Sequence, residues 1–140
     1  LSSRDLEVYR RTEELLYKIY PRLFKYPKSE KFSLCQEIKR TFFSLLSYIS
    51  RGNSVKSKRK TYLEEADGYL QVLKVLIKLS KQRKYISVGF YKEIDLELTE
   101  INKMLLRLID RNDYIYMNHK QTLKVDVELI EKERELNAAA

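Results

Sequence analysis

Tryptophan is absent from this chain, and cysteine and histidine occur once each, as Cys35 and His119. One cysteine cannot close an internal disulfide, which fits a reducing compartment. With the charged start Leu1-Ser2-Ser3-Arg4-Asp5, a cytoplasmic setting is expected. A zinc centre of ordinary ligands needs several Cys or His residues, and a di-iron bundle needs paired Glu-x-x-His motifs. Neither is available, so no metal or cofactor is expected. A Gly-rich phosphate loop of the Walker or Rossmann type is missing too. No apolar run reaches about 18 residues, so no membrane span is expected. Only three glycines and two prolines punctuate the 140 residues, and strand-like alternation is scarce. That leaves an all-α chain.

What the chain does hold is positive charge, unevenly placed. Its 28 basic and 20 acidic side chains leave a net +8. Residues 1–60 carry 15 Lys/Arg against 6 Asp/Glu, residues 61–110 are balanced at 8 each, and residues 111–140 hold 5 against 6. Such an excess suits a polyanionic partner, although net charge alone says nothing about fold.

Four helices are predicted. The first starts after Ser2 or Ser3, with Leu6, Tyr9, Leu16, Tyr20 and Leu23 on one stripe and Pro21 loosening its last turn. After the loop Lys25–Lys31, Ser33 and Gln36 read as a capping box for the second helix. That helix turns Leu34, Ile38, Phe42, Leu45 and Ile49 inward and stops at Gly52, a residue suited to a left-handed helix end. The third runs from Ser57 to about Lys81 with two adjacent stripes. One is Leu63, Ala66, Leu70, Leu73 and Ile77, and the other is Tyr62, Tyr69, Val72, Leu76 and Leu79. So wide a face exceeds the needs of one neighbour and predicts a central place or a subunit contact. The fourth is capped by Ser87 and buries Phe90, Ile94, Leu98, Ile101, Leu105 and Leu108. Short loops between four helices imply an up-down-up-down bundle over residues 1–112. Residues 113–140 are a C-terminal extension, read either as a short helix over 122–136 or as a flexible tail.

The stretch Arg51-Gly52-Asn53-Ser54-Val55-Lys56-Ser57-Lys58-Arg59-Lys60 is where a function is most visible. It sets five cations and no acid at the start of the third helix. A helix N-terminus carries partial positive charge, so lysines there cost about 0.3–1 kcal/mol each rather than helping. Arg51, Lys56, Lys58, Arg59 and Lys60 are therefore candidate phosphate contacts, with Arg40 on the preceding helix a weaker addition. In the bundle topology Arg4, Arg10, Arg11, Arg107 and Arg111 gather at the same end, diluted by Asp5, Glu7, Asp110 and Asp113. Downstream, Glu64, Glu65 and Asp67 complement the lysines, and Asp67 is placed for a buried polar contact. Catalysis finds little support: His119 follows Arg111 by eight positions, a poor fit to an Arg–His ribonuclease pair. Tyr26, Tyr85, Tyr114 and Tyr116 stand beside or close to cations and could stack on bases. Tyr9, Tyr20, Tyr62 and Tyr69 sit at helical spacing and read as packing residues.

An ordered set of segments carries a family resemblance. It comprises Ile19-Tyr20-Pro21, Phe24 through Pro27-Lys28-Ser29-Glu30-Lys31-Phe32-Ser33-Leu34, and Glu37-Ile38-Lys39-Arg40. It continues with Ser57-Lys58-Arg59-Lys60, Leu63-Glu64-Glu65-Ala66-Asp67, Leu70, Leu73, Leu79 and Tyr85-Ile86-Ser87. Over roughly residues 5–110 the chain resembles the Avd-like four-helix bundles, accessory variability determinants of diversity-generating retroelements. The related proteins of 23S rRNA intervening sequences share the Leu6-Glu7-Val8-Tyr9 opening and the Pro-Lys-Ser-Glu-Lys loop. The close of the second helix, Tyr48-Ile49-Ser50-Arg51-Gly52, departs from the Asn-Ile-Ala-Glu-Gly element of those proteins and favours the Avd side. The resemblance implies a non-enzymatic homopentameric barrel that binds a reverse transcriptase and its template-repeat RNA and supports mutagenic copying. Its alternatives are an intervening-sequence-type bundle protein and a module that binds only protein.

Overall fold

The computed structural model describes the backbone of residues 3–139, with the side chains of residues 7–112 and 126–139. Its helices are α1 (Ser3–Leu23), α2 (Leu34–Ser54), α3 (Arg59–Gln82) and α4 (Val88–Ala139). Single 3₁₀ turns at Lys28–Glu30 and Lys56–Lys58 lie in the first two connections. The chain divides into a unit over residues 1–109 and a second over residues 110–140.

Paired side chains set the helix directions in the first unit. Along α1 and α4, Arg11 reaches Glu97, Lys18 pairs with Glu93 and the Arg22 guanidinium lies 4.2 Å from the Phe90 ring centre, so the two run antiparallel. Between α3 and α4, Asn102 donates to Asp67 and Lys74 donates to Thr99 at 3.0 Å, again antiparallel. The contact expected of Asp67 is therefore present, and its partner is an amide on α4. Adjacent helices alternate in direction, so the bundle is up-and-down. Its core matches the predicted stripes on α2 and α4 and the first of the two on α3: Phe42, Leu45, Leu70, Leu98 and Ile101, for example, are fully buried, while Val72 and Leu79 of the second α3 stripe are exposed. Within 7–112, Ser80, Thr12 and Thr41 are the buried polar residues, and each hydroxyl donates to the carbonyl four residues earlier. They enter the apolar layer without leaving a polar atom unsatisfied.

Several local expectations are corrected. The buried face of α1 is Val8, Thr12, Leu15, Leu16, Ile19 and Leu23. Tyr20 lies outside it because a second apolar stripe sits one position away, and Leu6 lies outside the described side chains. Ser33 makes no capping bond to α2; its hydroxyl donates instead to the Glu30 carboxylate at 2.7 Å. Gly52 does not end α2 in a left-handed turn, since it has no positive φ and the helix continues to Ser54. It is a close-approach residue: a Cβ there would stand 3.0 Å from Leu63 Cδ2 of α3. A left-handed end does occur, after α3. Lys84 has φ 61°, its N–H donates to Lys81 at 2.9 Å, and the Tyr85 N–H donates to Ser80 at 2.9 Å. That crossed pair is the Schellman closure, built here on lysine where glycine would be easier. Ser87 caps α4 as expected, accepting from the Phe90 N–H at 3.1 Å.

The C-terminal reading also changes. Rather than a helix confined to 122–136 or a tail, α4 is one helix from Val88 to Ala139. No glycine or proline follows Gly89, so nothing in the covalent chain ends it. Leu129 and Ile130 are exposed; Leu123 lies outside the described side chains.

Glycine and lysine substitutions probe the backbone directly. Gly68 sits inside α3 with open space, clear to 4 Å, where a Cβ would stand. Gly68→Ala should therefore stabilise by about 1 kcal/mol, read as a higher Tm. Gly52→Val should instead destabilise by about 1–3 kcal/mol by forcing Leu63 aside. Lys84→Gly should gain about 1 kcal/mol by relieving the left-handed residue.

Candidate nucleic-acid interface

The connection from α2 to α3 is a tight elbow, and one of its cations builds it. Arg59 Nε donates to the Gly52 carbonyl at 2.8 Å, and a terminal guanidinium nitrogen donates to the Asn53 carbonyl at 3.2 Å. The last carbonyls of a helix lack partners within the helix and carry partial negative charge. Arg59 satisfies two of them from the next helix. Its charge is thus committed to the fold, a role indistinguishable in sequence from that of its neighbours.

The other predicted contacts fall into two groups. Lys56 and Lys58 are exposed on the 3₁₀ turn, and Lys60 reaches Glu64 at 3.9 Å across one helical turn. The N-cap of α3 is Lys58, which makes no side-chain capping bond. The helix start therefore gains nothing from a lysine at this position. Arg40 and Arg51 lie on α2, along an exposed stripe.

That stripe forms one wall of a groove of about 620 Å³, with Tyr69 of α3 on the other. Lys39, Arg40 and Arg51 line it with charge, Phe43, Tyr48 and Tyr69 with rings, and Gln36, Ser44 and Ser47 with neutral polar groups. None of the lining residues is acidic. Glu37, beside the groove on α2, pairs with Arg40 at 3.6 Å, and both side chains are more than half exposed. Such a pair contributes little and is easily exchanged for another anion. The rings are ordered against one another. Tyr48 stacks on Tyr69 with centres 5.5 Å apart and planes 23° from parallel, and Tyr62 lies 6.0 Å from Tyr48. The Arg51 guanidinium sits 4.9 Å from the Tyr48 ring centre, in cation–π range. Lys39 takes a similar position 4.9 Å from the Tyr20 ring.

A family model described as bAvd-like matches residues 7–112. The chain belongs to the bAvd-like family. Arg40, Arg51, Lys56, Lys58, Arg59 and Lys60 all fall within the matched span, as does the whole groove. Among solved structures, the chain is similar to one described as a protein of unknown function from the S23 ribosomal protein family of Bacteroides thetaiotaomicron. That chain is 22% identical with a TM-score of 0.69, and the match covers 76% of this chain and 98% of the other. At that identity the likeness carries the bundle fold alone. No curated protein matches.

Sequence reasoning missed the groove because its rings come from two helices and sit at packing-like spacings. It also missed a second basic end within the bAvd-like span. The Tyr26 and Tyr85 rings, 5.1 Å apart, bring together the loops that carry Lys25, Lys28 and Lys31 on one side and Arg83 and Lys84 on the other. Tyr26 is buried there, and burial raises its phenol pKa, so it holds these loops together rather than presenting a stacking face. Phe24 and Phe32 beside it are exposed. Of the arginines expected near the elbow, Arg11 pairs with Glu97 of α4 at 3.4 Å and so serves the bundle, while Arg10 pairs with Glu14 of its own helix at 2.7 Å, both side chains exposed. Arg4, Asp5, Asp113, Tyr114, Tyr116 and His119 lie outside the described side chains. Cys35 is buried, its thiol donating to the Leu23 carbonyl at 3.6 Å, and burial pushes its pKa up.

The structural role of Arg59 is open to a stability measurement. Arg59→Ala removes two charge-assisted bonds to carbonyls and should cost about 2 kcal/mol in chemical denaturation. Arg59→Lys should recover only part, because an ammonium lacks the planar fork that spans both acceptors.

Proposed function

We propose that this chain is a non-enzymatic nucleic-acid-binding subunit of a diversity-generating retroelement. In this reading several copies, five in the resemblance, assemble with a reverse transcriptase and its template RNA and support mutagenic copying. The observation that carries the reading is the acid-free groove on α2, which joins three cations to three rings inside a bAvd-like bundle. Phosphate contacts would come from Arg40, Arg51, Lys56, Lys58 and Lys60, with Arg59 holding the elbow that presents them.

Assembly draws support from α3. Val72 and Val75 are 50% and 65% exposed, with Leu79 beside them one turn on. An apolar stripe left uncovered in one copy is a natural seat for another. Multiplying a +8 protomer raises the field that attracts a polyanion.

The reading is tested by fluorescence anisotropy with a labelled RNA across a salt series. Each phosphate neutralised on a single strand contributes a slope of about −0.7 in log K against log salt. Arg40→Ala, Arg51→Ala, Lys56→Ala and Lys58→Ala combined should flatten the slope by up to about 0.7 for each phosphate no longer neutralised, with helical content unchanged. Unchanged affinity and slope in that variant would rule out this surface as the RNA-binding one.

A further inference from the structure

We propose that the α2 groove takes unpaired nucleotides and so prefers single-stranded RNA to duplex; this rests on the nucleic-acid reading above. Charge alone does not distinguish the two ligands, because both present phosphates. The rings do. In a duplex the flat faces of the bases are already stacked on one another, and only edges and backbone reach a protein. An unpaired base offers its face to an aromatic ring or a guanidinium plane.

The groove supplies both kinds of surface. Its cations Lys39 and Arg51 are twelve positions apart on α2, roughly 18 Å at 1.5 Å per residue. Between them stands Phe43, 53% exposed, a large ring left facing water. Beside them Tyr48 and Tyr69 are stacked and half-buried, and Arg51 is held over Tyr48. The paired tyrosines form a firm floor, while Phe43 and the Arg51 guanidinium are the accessible faces. The groove, about 620 Å³ and open to solvent, has room for a flat group to lie against its rings. A second copy is the rival occupant of an aromatic groove. Three cations with no acid among the lining residues call for an anionic occupant, and a nucleic acid supplies one phosphate per nucleotide.

The experiment compares a short uridylate single strand with an RNA duplex of the same length, using the full chain at one salt concentration. Wild type should bind the single strand about tenfold more tightly. Phe43→Ala, a surface change in a folded bundle, should weaken the single strand about tenfold, the loss of one stacked base. It should move duplex binding less than twofold, and Phe43→Tyr should restore the preference. Equal binding of the two RNAs by wild type, or no selective loss in Phe43→Ala, overturns the groove assignment and leaves the nucleic-acid reading standing. A change in solution mass in Phe43→Ala also overturns it, by giving the groove to a subunit contact. Failure of wild type to bind either RNA at low salt overturns both.

Discussion

The close approach of α2 to α3 at Gly52 and Leu63 governs much else in this bundle. With no side chain at Gly52, the two helices come near enough for Leu63 to fill the space, and Arg59 can then reach back to two open carbonyls of α2. Steric fit and charge-assisted hydrogen bonding act on the same turn, one from each side. A larger residue at Gly52 would push α3 outward and stretch both arginine bonds. The elbow is therefore a structural joint made from residues that look functional.

That joint decides what the rest of α2 can present. Pairing α2 with α3 brings Tyr69 over Tyr48 and leaves the groove they share, along α2 from Gln36 to Arg51, facing solvent. Some of the charges along this flank and the adjoining elbow have no evident use in folding: Lys58 makes no capping bond, and the Arg40–Glu37 pair is solvent-screened. Where cations repeatedly sit in positions that local energetics do not reward, an external anion is the simplest common cause.

Much of the fold was legible in the residues. The core stripes on α2, α3 and α4 each place an apolar side chain every three or four positions, and these stripes are buried. Asp67 and Ser87 were legible for a related reason: each stands beside an apolar stripe with a polar group that needs a partner. The stripe on α1 was misplaced because Thr12 looks polar yet is buried through its bond to the Val8 carbonyl, while Tyr20 looks apolar yet lies on the rim. Gly52 and Arg59 were misread because their roles depend on partners across the elbow. A glycine near a helix end and an arginine in a basic run carry no local mark of such partners. The groove escaped in the same way, since tyrosines at helical spacing have one pattern whether they pack in a core or pave a surface.

Everything functional in this reading rests on the α2 flank, continuous with the elbow, meeting the nucleic acid. Photo-crosslinking of a 4-thiouridine-containing single-stranded RNA to the full chain, with the linked peptides identified by mass spectrometry, puts that to the test. Adducts at Phe43, Tyr48 or Tyr69 are the expected result. Adducts confined to the opposite end, at Phe24, Phe32 and the loops of Lys25–Lys31 and Arg83–Lys84, would contradict it.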